Sequence, residues 1–207
     1  MADEEVKIFS MVGYEAPKFT GSALMPDNNF NNDFHLEEYF KDSYGVIFFY
    51  SLNFTYVCPT ELIALNNRLQ EFTNRNTKIV AVSTDSQFSH LSWKKIPHKY
   101  GGIGNVQFPL VSDLTHSITK NYGVIVNDAI ALRGTFFLDK AGVVRYQQVN
   151  DLSLGRNIDE IIRTIDAFQY HEATGEVCPA GWQIGDDGVV PDEKGVGNYL
   201  AKNASNL

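Results

Sequence analysis

Cysteine is scarce in this chain. There are two in 207 residues, Cys58 and Cys178. Two cysteines cannot build a disulfide scaffold, and a pair so far apart cannot supply a cysteine-rich zinc site. A single bridge between them would close a long loop and stabilise the fold by roughly 4–5 kcal/mol in the chain-entropy picture. Such bridges rarely persist in a reducing cytosol, so a transient, catalytic pairing is the expectation. Basic charge is also short, with 17 Lys and Arg against 25 Asp and Glu. The net charge of -8 argues against nucleic acid or an anionic membrane as partner, since both need a basic surface. No apolar run reaches transmembrane length. The opening Met-Ala-Asp-Glu-Glu is acidic, so neither a secretory signal nor a mitochondrial presequence is expected, and a cytoplasmic protein is. The five histidines show no metal-ligand spacing and read as structural or solvated. There is no internal repeat. A hydrophobic share of 43% in a chain of this length suits one domain with a sizeable core.

What is present is concentrated in residues 48–61, Phe-Phe-Tyr-Ser-Leu-Asn-Phe-Thr-Tyr-Val-Cys-Pro-Thr-Glu. Tyr44 to Tyr50 is a short, continuous apolar run, which predicts a buried strand. From Pro59 the pattern changes. Leu62, Leu65, Leu69 and Phe72 recur at helical steps, and proline suits the first turn of a helix. Cys58 therefore stands where a strand has ended and a helix begins. The unpaired N–H groups and the dipole of a helix start favour negative charge, and the thiolate is the reactive form of cysteine. On position alone two readings stand: a reactive thiol, and a buried structural cysteine.

The remaining elements follow in order. Residues 7–35 read as irregular, with a turn-forming cluster at Met25-Pro26-Asp27-Asn28-Asn29, and His35 to Phe40 as a short helix. Lys78 to Ser83 predicts a second buried strand. Asp85 or Ser86 caps a helix that carries Phe88, Leu91 and Trp93 and ends at Pro97. Gly101-Gly102-Ile103-Gly104 reads as a flexible loop, Leu110 to Ser112 as a brief strand and Thr115 to Tyr122 as a short helix. Leu132 to Leu138 and Val143 to Val149 flank a Lys-Ala-Gly turn and predict a hairpin. Asn157 to Tyr170 is an amphipathic helix with Ile158, Ile161, Ile162, Ile165 and Phe168 on its apolar side. Strands alternating with helices indicate an α/β layered sheet. From Gly185 the chain becomes rich in Gly and Asp, so residues 1–184 are expected to form one domain and 185–207 a tail with a short terminal helix.

The stretch Phe54 to Glu61 resembles the peroxidatic-cysteine motif of the typical 2-Cys peroxiredoxins. Gly175-Glu176-Val177-Cys178-Pro179-Ala180-Gly181-Trp182 resembles their resolving-cysteine motif. Leu132-Arg133-Gly134, Val149 to Leu152 and Gly155-Arg156-Asn157 match the same pattern in order and rough spacing, and the resemblance runs from about Gly13 to about Leu200. There are departures. The family usually has proline at Ser51, aspartate at Asn53, and phenylalanine at Leu200 in its C-terminal Tyr-Phe pair.

The resemblance implies a thioredoxin-like fold, with a central mixed sheet, flanking helices and a C-terminal arm. It implies a thiol peroxidase acting on hydrogen peroxide and alkyl hydroperoxides without metal, flavin or haem. Cys58 would be the nucleophile and Cys178, from the partner subunit of an antiparallel dimer, the resolving thiol. Thioredoxin would be the reductant, and dimers could assemble into a ring. The resemblance also places Thr55 beside Cys58 and brings Arg133 across from the hairpin. Glu61 is within reach of the same helix end and could orient Arg133. Without it, Thr55 reads as a strand-end residue, Arg133 as a surface arginine on an edge strand, and Glu61 as a dipole-favoured acid. Arg156 is open between joining the cation cluster and merely starting a helix. A disulfide oxidoreductase is the rival enzyme class, disfavoured because Cys-x-x-Cys is absent. A holdase or redox-relay role is the non-enzymatic rival.

Overall fold

The structure is a computed structural model and describes residues 10–207. One compact unit ends at Arg156 and another runs Asn157–Leu207. In the first unit, β1 (Thr20–Leu24) and β2 (Phe30–His35) form an antiparallel hairpin and lead into the short α1 (Leu36–Phe40). β3 (Tyr44–Phe49) is buried along its whole length, as its unbroken apolar run requires of an inner strand. α2 (Cys58–Asn67) and α3 (Leu69–Asn74) carry the chain to β4 (Thr77–Ser83), which lies parallel to β3. α4 (Gln87–Lys94) follows, then β5 (Leu110–Ser112), parallel to β4, and α5 (Ser117–Asn121). A two-stranded hairpin of β6 (Ile125–Val126) and β7 (Ile130–Ala131) turns on Asn127 and Asp128, both at φ 52°. β8 (Arg133–Leu138) and β9 (Val144–Asn150) form the last hairpin.

Seven of these strands make one mixed sheet in the order β2-β1-β5-β4-β3-β8-β9. Side chains alternate across it. One face presents Ile47, Phe49, Val80, Val82, Val111 and Phe136 to a single apolar cluster. There Tyr122 packs against Phe49 and Phe136, with ring centroids 5.1 and 5.0 Å away. Phe48, one residue along β3, points to the opposite face. This is the thioredoxin-like α/β fold that the motifs imply.

Two expectations need correction. Residues 10–35 are not irregular. Thr-Gly-Ser-Ala-Leu and Phe-Asn-Asn-Asp-Phe-His have weak strand propensity, but pairing of β1 with β5 holds them in the sheet. The turn cluster is the hairpin bend, with Asn28 at φ 68°. Residues 7–9 of the stretch expected to be irregular lie outside the described residues. In α4, Ser86 accepts from the Ser89 N–H as N-cap, as expected, and Trp93 is buried. Phe88 is 63% exposed, and His90 is buried. Finally, the Gly101–Gly104 loop is packed: Gly102 and Ile103 are buried. A side-chain carbon on Gly102 would overlap the Ile96 carbonyl.

In the second unit α6 (Ile158–Thr174) starts at Asn157, whose Oδ1 accepts from the Asp159 N–H at 2.9 Å, and stops at Gly175 with φ 76°. The segment after it is tied by an isolated bridge between Val177 and Val189, and by Trp182, whose ring lies 4.9 Å from that of Tyr170. α7 (Glu193–Asn203) is capped by Asp192 and buries none of its residues.

Candidate active site

The strand-to-helix junction after β3 sets the site. Phe54 takes φ 58°, a left-handed conformation uncommon for an aromatic residue, and the chain turns there into α2. Cys58 is the first residue of α2 and Pro59 follows it, so the early turn loses only a donor that would have been unpaired. The sulfur is fully buried. Two groups lie on it: the Ser51 hydroxyl at 3.2 Å and Arg133 Nη1 at 3.3 Å. The Thr55 hydroxyl is close by and donates to the Leu52 carbonyl at 2.8 Å. It carries one proton, so it serves the sulfur as a donor only by turning away from that carbonyl.

Arg133 is not a surface residue on an edge strand. β8 lies between β3 and β9, and Arg133 is 3% exposed. Its Nε and Nη2 both donate to the Leu152 carbonyl, at 2.9 and 2.6 Å. Nη1 is thereby aimed at Cys58 and at Glu61 Oε2, 2.7 Å away. Glu61, on the first turn of α2, also holds Arg156. Its Oε1 accepts from the Arg156 backbone N–H and from Nε, both at 2.9 Å, and its Oε2 from Nη2 at 3.0 Å. Arg156 spends its Nη1 on the Gly134 carbonyl and on Thr135, and its guanidinium lies 3.2 Å over the Phe48 ring. The cluster thus contains two guanidinium cations and one carboxylate. A thiolate at Cys58 would neutralise the surplus charge.

The electrostatics follow from that count. Burial pushes the Cys58 thiol up, but the Ser51 hydroxyl, the nearby Thr55 hydroxyl and Arg133 with its charge outweigh it and leave the thiol below its ordinary value. Burial likewise opposes ionisation of Glu61, and the hydrogen bonds and charge of Arg156 with the charge of Arg133 hold its carboxyl low. A buried sulfur at a helix start, with a fixed planar cation beside it to favour its anion, is equipped to attack a polar electrophile and to steady charge that spreads onto the leaving atom.

Residues 12–147 match the AhpC/TSA family, and residues 167–202 match the C-terminal domain of 1-Cys peroxiredoxin. The chloroplastic 2-Cys peroxiredoxin BAS1 of Hordeum vulgare is 47% identical over 192 residues, covering 92% of this chain and 90% of that protein. Peroxiredoxin-1 of Gallus gallus is 46% identical over 194 residues, covering 93% and 96%. The reduced 2-Cys peroxiredoxin of Plasmodium vivax matches with a TM-score of 0.91 at 44% identity, covering 93% of this chain and all of that one. The chain belongs to the typical 2-Cys peroxiredoxins. It is a thiol-dependent peroxidase.

Within this peroxiredoxin, Cys58, Thr55, Glu61 and Arg133 come together in the first unit as the motifs implied. Cys178 lies in the second unit. It is half-buried, its S–H donates to the Ala167 carbonyl at 3.3 Å, and burial pushes its thiol up. Both cysteines are free. Two residues of the cluster were not legible in advance. Arg156 was open between two readings, and the structure makes it the second cation on Glu61. Ser51 stood out as a departure from proline, with nothing to say that its hydroxyl reaches the sulfur. Asn53 fits its place as a neutral side chain. Its Oδ1 accepts from the Tyr50 hydroxyl at 2.9 Å, and its Nδ2 reaches Ser89 at 2.8 Å and His90 Nδ1 at 3.0 Å.

Proposed function

We propose that Cys58 is the peroxidatic nucleophile and that Arg133, Thr55 and Glu61 serve it. The observation that carries this is the Arg133 Nη1 contact with a buried sulfur at a helix start. The Cys58 thiolate attacks the terminal oxygen of a hydroperoxide. The S–O bond forms as the O–O bond breaks. Cys58 is oxidised to sulfenic acid, and the leaving alkoxide or hydroxide takes a proton from water. Arg133, and Thr55 with its proton turned inward, steady the charge on the two oxygens. Glu61 keeps Arg133 in place.

In the second half of the cycle the Cys178 thiol of a partner subunit condenses with the sulfenic acid, releasing water and forming an intersubunit disulfide. A dithiol protein, thioredoxin by the family pattern, reduces that disulfide by exchange. Hydrogen peroxide and alkyl hydroperoxides are the substrates. The working unit is a homodimer, which can assemble into a ring of dimers, in the cytoplasm. Residues 1–184 then form the catalytic domain and 185–207 its tail. Support for the dimer and the disulfide is the family membership and the resolving-cysteine motif around Cys178. The test is non-reducing electrophoresis after one equivalent of hydrogen peroxide. A disulfide-linked dimer is expected for wild type and for neither Cys58→Ser nor Cys178→Ser. A monomeric, internally bridged wild type would overturn the intersubunit step.

A further inference from the structure

Ser51 occupies the place where the family pattern has proline, seven residues before Cys58. It is 6% exposed, and its hydroxyl lies 3.2 Å from the Cys58 sulfur. Among the described residues the sulfur is the sole hydrogen-bond partner of that hydroxyl. A thiolate carries no proton, so in the ionised state the hydroxyl must be the donor. The Thr55 proton is already given to the Leu52 carbonyl. Ser51 and Arg133 are therefore the two side chains whose protons are free to point at the sulfur.

We propose that Ser51 is a catalytic residue of this chain, its hydroxyl donating to the Cys58 thiolate in place of a proline that has nothing to donate. The proposal rests on Cys58 being the peroxidatic nucleophile. A donor to the thiolate has two opposed effects. It enlarges the ionised fraction at lower pH, and it makes each thiolate slightly less nucleophilic. The charged and titratable groups that face the sulfur are Arg133 from β8, Glu61 from α2 through Arg133, Arg156 from the loop after β9, and Tyr50 at the end of β3. All are common to wild type and a Ser51 variant, so a difference between the two reports on the hydroxyl.

The experiment is the pH profile of Cys58 alkylation in the reduced full-length protein, with Cys58 and Cys178 resolved by mass spectrometry. For Ser51→Ala the midpoint should move to higher pH. The rate on the acidic side should fall about threefold to tenfold, the size of one hydrogen bond, with no drop on the alkaline plateau. Ser51→Thr, which keeps the hydroxyl, should restore the wild-type midpoint. Ser51→Pro is the second hydroxyl-free variant, should follow Ser51→Ala, and carries the comparison if the alanine variant does not fold. An unchanged midpoint in both, a uniform drop at every pH, or a threonine variant that behaves like alanine would each overturn the role of Ser51. The underlying assignment fails differently. It is lost if wild-type Cys58 reacts no faster than Cys178 at neutral pH, whatever the Ser51 variants do.

Discussion

Glu61 Oε2 stands 2.7 Å from Arg133 Nη1, and both side chains are buried. The same carboxylate holds Arg156 through three further hydrogen bonds. One acid thus fixes two cations, and only one of them touches the sulfur. Replacing Glu61 by Gln leaves two buried guanidinium groups with no carboxylate between them, and with the Cys58 sulfur as their sole possible counter-charge among the described residues of the cluster. A loss of about 3 kcal/mol or more is expected in urea unfolding of Glu61→Gln. Wild-type stability in this variant would show that the cluster tolerates its charge without the acid.

Arg133→Lys tests the fork. A single ammonium cannot hold the Leu152 carbonyl, Glu61 and the sulfur at once, as the guanidinium does. The second-order rate constant for hydrogen peroxide should drop by about a hundredfold, with the fold kept. Rapid-mixing kinetics on the reduced protein give the measurement, and a rate within a factor of about two of wild type would remove Arg133 from the chemistry.

His90 predicts an acid-side loss of stability. Its ring is buried in a network with Tyr50 and Asn53, and Nε2 faces the Val111 carbonyl. Burial pulls its pKa from 6.5 down to about 4. The unfolded chain therefore binds a proton between those values that the folded protein refuses. Stability should fall as pH drops from 6.5 towards 4, by on the order of 3 kcal/mol at most, and level off below that. Denaturant unfolding of wild type and His90→Gln across this range isolates the contribution. Parallel curves for the two would exclude His90 as the source.

The strands that β3 and β4 supply were legible because an inner strand of a mixed sheet must be apolar on both faces. The hairpin β1–β2 was not, because its Gly, Asn and Asp residues are held by pairing with β5, which no local pattern reveals. The site divides in the same way. Cys58 announces itself by its place between a strand signal and a helix signal. Arg133 and Glu61 needed the family motifs, since their meeting depends on β8 lying beside β3. Ser51 and Arg156 needed coordinates, because a hydroxyl or guanidinium looks the same in a sequence whether it meets water or a buried partner.

The family pattern links a Gly-Gly-Leu-Gly loop and a C-terminal Tyr-Phe pair to inactivation by excess peroxide. This chain keeps the loop glycines, but Leu200 replaces the phenylalanine and is 44% exposed. Deleting residues 195–207 is expected to raise the peroxide dose that converts Cys58 to sulfinic acid, read by mass spectrometry across a titration. Equal yields from full-length and truncated protein would take α7 out of the account.

The most direct test is the count of peroxide consumed per subunit by each cysteine variant of the reduced protein. Cys58→Ser should consume none. Cys178→Ser should consume a single equivalent and then stall in a thioredoxin-coupled assay, while wild type turns over. Turnover by Cys58→Ser, or sustained thioredoxin-coupled turnover by Cys178→Ser, would contradict a mechanism in which Cys58 attacks and Cys178 resolves.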